Sequence, residues 1–365
     1  MKITFLRPPI ASVALGGGNV HFKELTRYLR KAGHQLAICD SERVSSEFAF
    51  FSYSLFDLVK LVLWSDCIYL RIRPTGSIPA WEPAKLRILR KLFRKPIVWE
   101  VNAPVYEGVI LEKYDKLESA RREELLKMEA PHVKAAFCVS SELKQYATHV
   151  LGVANAIYVP NGSDCEKIGP HVERLSNLGL AESGPILFWM GSGVLPWEGD
   201  GIVAELAQEM LDNDIPGTIV MVGNKRDGVK TLPRNIVHLG PIPHVELPKY
   251  LATADICLAL YDVEAYRRHG YEFYNSPLKL YEYMAAGKAI IGTNVGEIAR
   301  TIEDQRTGYL VGIHVREIAA AAEELINDKD KRDAMGKAAR EKALEFYNWS
   351  RVARQTSDAL GLILD

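Results

Sequence analysis

The sequence predicts an α/β chain of two tandem doubly wound units, each a parallel sheet wrapped by helices. Three observations predict this. Short apolar runs of strand length alternate with amphipathic runs of helix length across nearly all 365 residues. Those short runs are continuously apolar rather than alternating, the pattern of strands covered on both faces. A polar, aperiodic stretch containing Gly, Pro and Ser interrupts the alternation near the middle, as a linker does.

The first unit opens with the strand KITFL (2–6). In the helix that follows, Phe22, Leu25, Leu29 and Ala32 fall at helical spacing before Gly33 stops it. QLAICD (35–40), CIYLRI (67–72), PIVWEV (96–101), AAFCVS (135–140) and AIYVP (156–160) complete its strands. The polar stretch places the domain at 1–164 and the linker at 165–184. In the second domain, 185–345, strands fall at PILFWMG (185–191), TIVMVG (218–223), NIVHLG (235–240), DICLAL (255–260) and AIIGT (289–293). From 315 the pattern is helical, with a break at FYNWS (346–350), where Asn348 or Ser350 would cap a last helix within 346–365. Open α/β sheets bind ligands beyond the carboxyl ends of their strands. The expectation is therefore two domains facing a deep interdomain cleft.

Composition excludes several classes. Apolar residues at 48% and charged residues at 25% are ordinary for a globular chain. No uncharged apolar run reaches the length of a membrane span, and the opening MKITFLRPPI carries no secretory signal pattern. Cys39, Cys67, Cys138, Cys165 and Cys257 are scattered and odd in number. They read as reduced core thiols of a cytoplasmic protein. Residues 1–164 hold 23 Lys and Arg against 17 Asp and Glu, and the remainder is acidic. That excess, without a recognisable module, does not indicate nucleic-acid binding. The histidines lack ligand spacing, so no protein-bound metal is expected.

The segment NSPLKLYEYMAAGKAIIGTNVGE (275–297) carries the most chemistry. Ser276 followed by Pro277 reads as an N-cap with proline at the first helical position, and Gly287 as the stop. A helix start offers free N–H groups and a positive dipole end, which suit a phosphate. Lys279 in the first turn and Glu282 three residues on project from one side. Two readings stand for them: a diphosphate-and-ribose clamp, or a surface charge pair. KLRILRKLFRK (85–95) packs six basic residues among apolar ones. It reads either as an amphipathic helix on an anionic membrane or as a helix on the first sheet with a solvated basic face.

Segment 275–297 resembles the second-domain signature of glycosyltransferase family 4, a retaining group with the GT-B fold. Around it, in the expected order, lie ILFWMGSGVLPWEG (186–199), IVMVGNKRDG (219–228), IVHLGPIPHVELPKYLATADICLAL (236–260) and GEIARTIEDQRTGYLV (296–311). GGGNVHFKELTRYLRKAGHQLAICD (16–40), VSSELK (139–144), YVPNGSD (158–164) and a closing helix from FYNWSRVARQ (346–355) extend the likeness to nearly the whole chain. The resemblance implies that the closing helix returns to the first domain. It also assigns Glu282 to the donor ribose and the backbone around Ile242 to the donor base. Ser276 to Leu278 would face the diphosphate, with Gly191 and Ser192 on the same donor side. Gly17 and Gly18 would line the cleft, where glycine permits close backbone approach; a flexible turn is the other reading of that run.

Departures from the family pattern are specific. The first glutamate of the family's pair is replaced by Tyr274, with Glu272 nearby as its expected substitute, and both are expected on the donor side. The family's Arg and Lys clamp falls in GSGVLPWEG, where Ser192, Pro196, Trp197 and Glu198 stand instead. Lys279 is the first expected replacement, and Lys225 or Arg226 the second. Asn102 stands where many members carry a histidine, and it binds a hydroxyl without shuttling a proton. Glu107 and Arg73 join Asn102 on the expected acceptor side, while Glu100 ends a buried strand.

The expectation is a metal-independent enzyme without a cofactor. It would move a sugar, with retention, from a nucleoside diphosphate sugar to a hydroxyl acceptor, with Lys279 and Asn102 as catalytic residues. It would be cytoplasmic, with 85–95 a possible peripheral contact on the inner face of the membrane. Two other readings stay open: a non-catalytic nucleotide-sugar-binding subunit, and a sugar-nucleotide epimerase.

Overall fold

The computed structural model describes residues 1–6, 17–40, 48–72, 84–175, 184–225 and 231–364. Contacts divide the chain into two units. Unit 1 comprises Met1–Pro160, Tyr274–Ser276 and Ser350–Asp365, and unit 2 comprises Asn161–Phe273 and Pro277–Trp349.

Among the described residues, unit 1 holds seven parallel strands: β1 (Lys2–Leu6), β2 (Gln35–Cys39), β3 (Ala49–Phe51), β4 (Cys67–Arg71), β5 (Ile97–Val101), β6 (Ala135–Cys138) and β7 (Ala156–Tyr158). Their order is β3-β2-β1-β4-β5-β6-β7. The described residues of unit 2 hold six: β8 (Ile186–Met190), β9 (Thr218–Val222), β10 (Ile236–His238), β11 (Ile256–Ala259), β12 (Ala289–Thr293) and β13 (Tyr309–Val311), in the order β10-β9-β8-β11-β12-β13. Both sheets reverse direction beside their first strand, at β1/β4 and at β8/β11. These are the switch points where doubly wound sheets leave a crevice for ligands.

The helices are α1 (Gly17–Lys31), α2 (Leu55–Trp64), α3 (Ala84–Leu92), α4 (Glu107–Ile110), α5 (Lys116–Glu129), α6 (Ser141–Gln145), α7 (Asp200–Asp212), α8 (Leu247–Thr253), α9 (Glu264–Arg267), α10 (Leu278–Ala285), α11 (Gly296–Thr301), α12 (Val315–Asn327), α13 (Lys329–Phe346) and α14 (Trp349–Leu364). Local chemistry starts and stops them. Ser54, Asp115, Ser140 and Asp328 each accept a backbone N–H from the first turn of α2, α5, α6 and α13, satisfying a donor the helix leaves open. Gly33, at φ +88°, follows the end of α1 in the left-handed region.

In unit 1 the sheet packs through Phe5, which meets Phe22 of α1 at 5.4 Å and Tyr69 of β4 at 4.8 Å between ring centroids. In unit 2, Leu187, Trp189, Ile219 and Ile291 from the sheet pack with Leu206 and Met210 of α7 and Ile318 and Leu325 of α12. All five cysteines are buried free thiols.

Several sequence expectations need correction. The edge strands β3 and β13 add to the strands expected from the sequence. The long carboxyl-terminal helical run breaks at Asp328 as well as before Trp349. Asn348, not Ser350, stands before α14, because Ser350 is already helical. Pro277, at φ −73° and ψ 119°, is the N-cap of α10, and no side chain caps it. Ser276 lies one residue further out. The polar stretch is not a free linker throughout: Arg174 donates to the Thr253 carbonyl and pairs with Asp255 at 3.0 Å within unit 2, and Arg340 donates to the carbonyls of Cys165 and Ile168.

Candidate functional site

At the switch point of unit 2, the loop Gly191–Gly199 follows β8. Glu198 is 7% exposed. Its carboxylate accepts the backbone N–H of Ser192, the Ser192 hydroxyl and the N–H of Gly193, each at 2.8 Å. Gly193 adopts φ +70°, and a Cβ there would lie 2.0 Å from the Asn224 carbonyl oxygen. Only glycine fits this turn.

Lys279, in the first turn of α10, is also buried. Its Nζ donates to the Met190 carbonyl at 3.0 Å and lies over the rings of Trp189 and Tyr261, at 4.9 and 4.4 Å from their centroids. Burial pushes its pKa down to about 8, against the opposing fields of Glu198 and Asp200. A cation over aromatic faces retains part of the attraction it loses with water. Lys279 is therefore no surface charge, and its partner is not Glu282.

Glu282, one turn on, is buried and accepts from His244 Nε2 at 2.6 Å. His244 lies two residues beyond Ile242, which is half-buried in the segment before α8. The segment assigned to the base and the carboxylate assigned to the ribose thus come together through a histidine the sequence reading did not single out. The 38-residue separation left no local signal for it. Leu278 is half-buried, and Glu272 is exposed. Lys225 is exposed, whereas Arg226 and Arg73 lie outside the described residues.

The switch point of unit 1 gathers a second polar cluster. Glu100, at the carboxyl end of β5, lies 3.3 Å from His21 Nε2 of α1 and 3.4 Å from Arg71 Nε at the end of β4. Arg71 also donates to the Gly18 carbonyl at 3.0 Å. Gly17 and Gly18 begin α1. Burial works to raise the Glu100 pKa, but His21 and Arg71 overcome it and hold it at about 2. An ionised carboxylate only accepts, so the Asn102 amide must turn its Nδ2 toward Glu100, and it donates there. Asn102 Oδ1 is left buried, with no hydrogen-bond partner among the described residues.

Tyr274 is buried in unit 1, and its hydroxyl donates to Glu107 Oε1 at 2.6 Å. Its carbonyl accepts from the Ser140 hydroxyl at 2.6 Å. Burial raises the Glu107 pKa, and the Tyr274 hydrogen bond opposes it. Ser276, two residues on, is buried as well. Among the described residues no three His, Cys, Asp or Glu side chains gather as a metal-holding group.

Residues 184–328 match the family model described as glycosyl transferases group 1. This stretch is similar to group 1 glycosyltransferase domains. It spans the Glu198 loop, Lys279, Glu282 and His244. A D-inositol 3-phosphate glycosyltransferase of Paenarthrobacter aurescens is 32% identical over 125 residues, covering 34% of this chain and 28% of that one. The alignments with the first two curated relatives span under a third of their length. Among solved structures, the sucrose-phosphate synthase of Thermosynechococcus elongatus matches with a TM-score of 0.70 at 16% identity, covering 99% of this chain and 98% of that one. Anabaena HepE, solved in complex with UDP, matches with a TM-score of 0.70 at 15% identity, covering 99% and 100%. At such identities the structural likeness speaks for the fold alone, which is GT-B: the stretch matched by the family model falls in the second of its two Rossmann-like units.

Proposed function

We propose that the protein is a retaining glycosyltransferase that moves a sugar from a nucleoside diphosphate sugar to a hydroxyl acceptor. The observation that carries this reading is the buried Lys279 at the β8/β11 switch point of the stretch matched by the family model, beside a loop that presents two backbone N–H groups. The UDP bound by HepE supports a nucleotide donor. Unit 2 holds the donor. Glu282, oriented by His244, accepts from the ribose hydroxyls, and the backbone at Ile242 meets the base. Gly191, Ser192 and Leu278 lie along the diphosphate. Lys279 stabilises the negative charge that grows on the departing diphosphate, the term on which such a transfer depends most.

Unit 1 receives the acceptor near Asn102, whose fixed Oδ1 takes a hydrogen bond from a hydroxyl. An amide does not remove the proton, so that proton passes to the departing diphosphate oxygen, which leaves from the face the acceptor attacks. Gly17 and Gly18 border the same strand ends. Tyr274 and Glu107 support the acceptor side, and Ser276 and Glu272 flank Tyr274. No cofactor and no metal takes part in this scheme.

The test is incubation of the protein with UDP sugars, with and without a panel of hydroxyl acceptors, followed by mass analysis and repeated in EDTA. Release of UDP that depends on acceptor, with an α-linked product, supports the proposal. An isomerised sugar nucleotide without acceptor would identify an epimerase, and donor binding without turnover a silent binding subunit.

A specific observation also favours peripheral membrane contact at the cytoplasmic face. α3 buries Leu86 and Arg90 and leaves Ile88 and Leu92 67% and 73% exposed, among Lys85, Lys91 and Arg94. Exposed apolar residues ringed by lysine and arginine suit anionic lipid headgroups. No described helix is long and apolar enough to cross a membrane. Cosedimentation with phosphatidylglycerol vesicles, lost in Ile88→Glu/Leu92→Glu and absent with phosphatidylcholine alone, is the expected outcome.

A further inference from the structure

We propose that the loop after β8 is an oxyanion cradle whose resident ligand is the chain's own Glu198 carboxylate, and that a diphosphate enters by displacing it. The cradle does not depend on the donor reading; its occupation by a donor rests on that reading.

Two successive N–H groups, of Ser192 and Gly193, and the Ser192 hydroxyl converge on one carboxylate. Successive backbone donors around a concavity form an anion-binding nest. Both carboxylate oxygens are used, Oε1 by one donor and Oε2 by two, so the site already grips a two-oxygen anion.

The donors are held from behind. Asn224 Nδ2 donates to the Ser192 carbonyl at 2.9 Å, Val194 N–H donates to the Ser192 hydroxyl at 3.2 Å, and Gly193 abuts the Asn224 backbone. None of these contacts involves Glu198, so the N–H groups keep their direction when the carboxylate leaves.

The tenant is tethered differently. Trp197, 2% exposed, packs on Tyr266 at 5.2 Å, and Trp189 Nε1 donates to the Glu198 carbonyl at 3.3 Å. These contacts anchor the backbone of residue 198 and leave its side chain as the group that can turn. The loop follows β8 at the switch point, where ligands of doubly wound sheets lie, and the buried Lys279 ammonium feels the field of Glu198. A self-filled cradle lowers the apparent affinity of any competing oxyanion in proportion to its vacant fraction.

Calorimetry with inorganic pyrophosphate on the full chain tests this. Glu198→Ala is expected to bind pyrophosphate at least about tenfold more tightly than wild type, a difference of about 1.4 kcal/mol. Sodium formate, which refills the vacated cradle, is expected to raise its melting temperature more than that of wild type. Equal pyrophosphate affinity in the two proteins would overturn the proposal. Should Glu198→Ala not fold, the wild-type protein labelled with 15N is titrated with pyrophosphate. The Ser192 and Gly193 amide resonances are then expected to move to saturation, and their staying fixed would overturn it. A gain for pyrophosphate with none for UDP would keep the cradle and remove the donor from it.

Discussion

The Tyr274 hydroxyl donates to the Glu107 carboxylate at 2.6 Å across 167 positions of sequence. Burial alone would drive that carboxyl toward its neutral form, and the tyrosine holds part of the shift back. Tyr274→Phe removes the donor and is expected to cost about 1–3 kcal/mol, the usual penalty for a buried polar group left unpaired. Urea unfolding checks it. The double variant with Glu107→Gln should cost less than the sum of the two singles, because both changes break one bond.

In the role proposed for it, Lys279 would bind a diphosphate only while protonated. With its pKa pushed down to about 8 by burial, nucleoside diphosphate affinity is expected to fall as pH rises through about 8. Lys279→Ala should weaken UDP binding about tenfold or more at pH 7, since one charge-assisted contact is lost, and should flatten that pH dependence. The stability sign is opposite. The unfolded chain binds this proton more tightly, so the burden of the buried ammonium is full below about 8 and eases as pH rises toward 10.5. Calorimetry and thermal melts over the same pH range separate the two.

Glu282→Ala is expected to raise the UDP dissociation constant about tenfold through loss of hydrogen bonds to the ribose. His244→Ala should raise it less, because the carboxylate remains but is no longer oriented. UDP and a uracil compound lacking ribose hydroxyls, titrated in parallel, check the assignment: the loss should vanish for the second ligand.

Glu100 lies below its ordinary value of 4.5, at about 2, through His21 and Arg71. A depressed carboxyl stabilises the fold above the unfolded value and loses that contribution as pH falls toward the folded one. Glu100→Gln, which leaves the Arg71 guanidinium without its carboxylate, should cost on the order of 3 kcal/mol at pH 7. The gap to wild type should narrow between 4.5 and about 2. Denaturant titrations at graded pH read it out.

The fold was legible because buried parallel strands leave continuous apolar runs. Eleven strands stood out, while Ala49–Phe51 and Tyr309–Val311 did not; length and edge position are not the reason, because Ala156–Tyr158 and Ile236–His238 share both and were legible. The helix after Pro277 was legible from its proline, although the cap itself moved by one residue. The site was legible only where function is local in sequence. Lys279 and Glu282 lie on one helix, but their partners, Met190 and His244, come from other strands and loops. Glu198 appeared only as an acid where a base was expected. That its carboxylate fills a ring of N–H donors depends on a left-handed turn at Gly193, which side-chain chemistry alone does not announce.

The polypeptide changes units at four junctions, after residues 160, 273, 276 and 349. Its last helix is stitched to unit 1 by Ser357 against His34 at 2.8 Å and by Gln355 donating to the Tyr158 carbonyl at 3.0 Å. A chimaera made by one crossover at residue 160 would therefore graft a foreign tail onto the first unit. Swapping donor specificity between related proteins calls for at least one further exchange near residue 349, so that each module keeps its own closing helix.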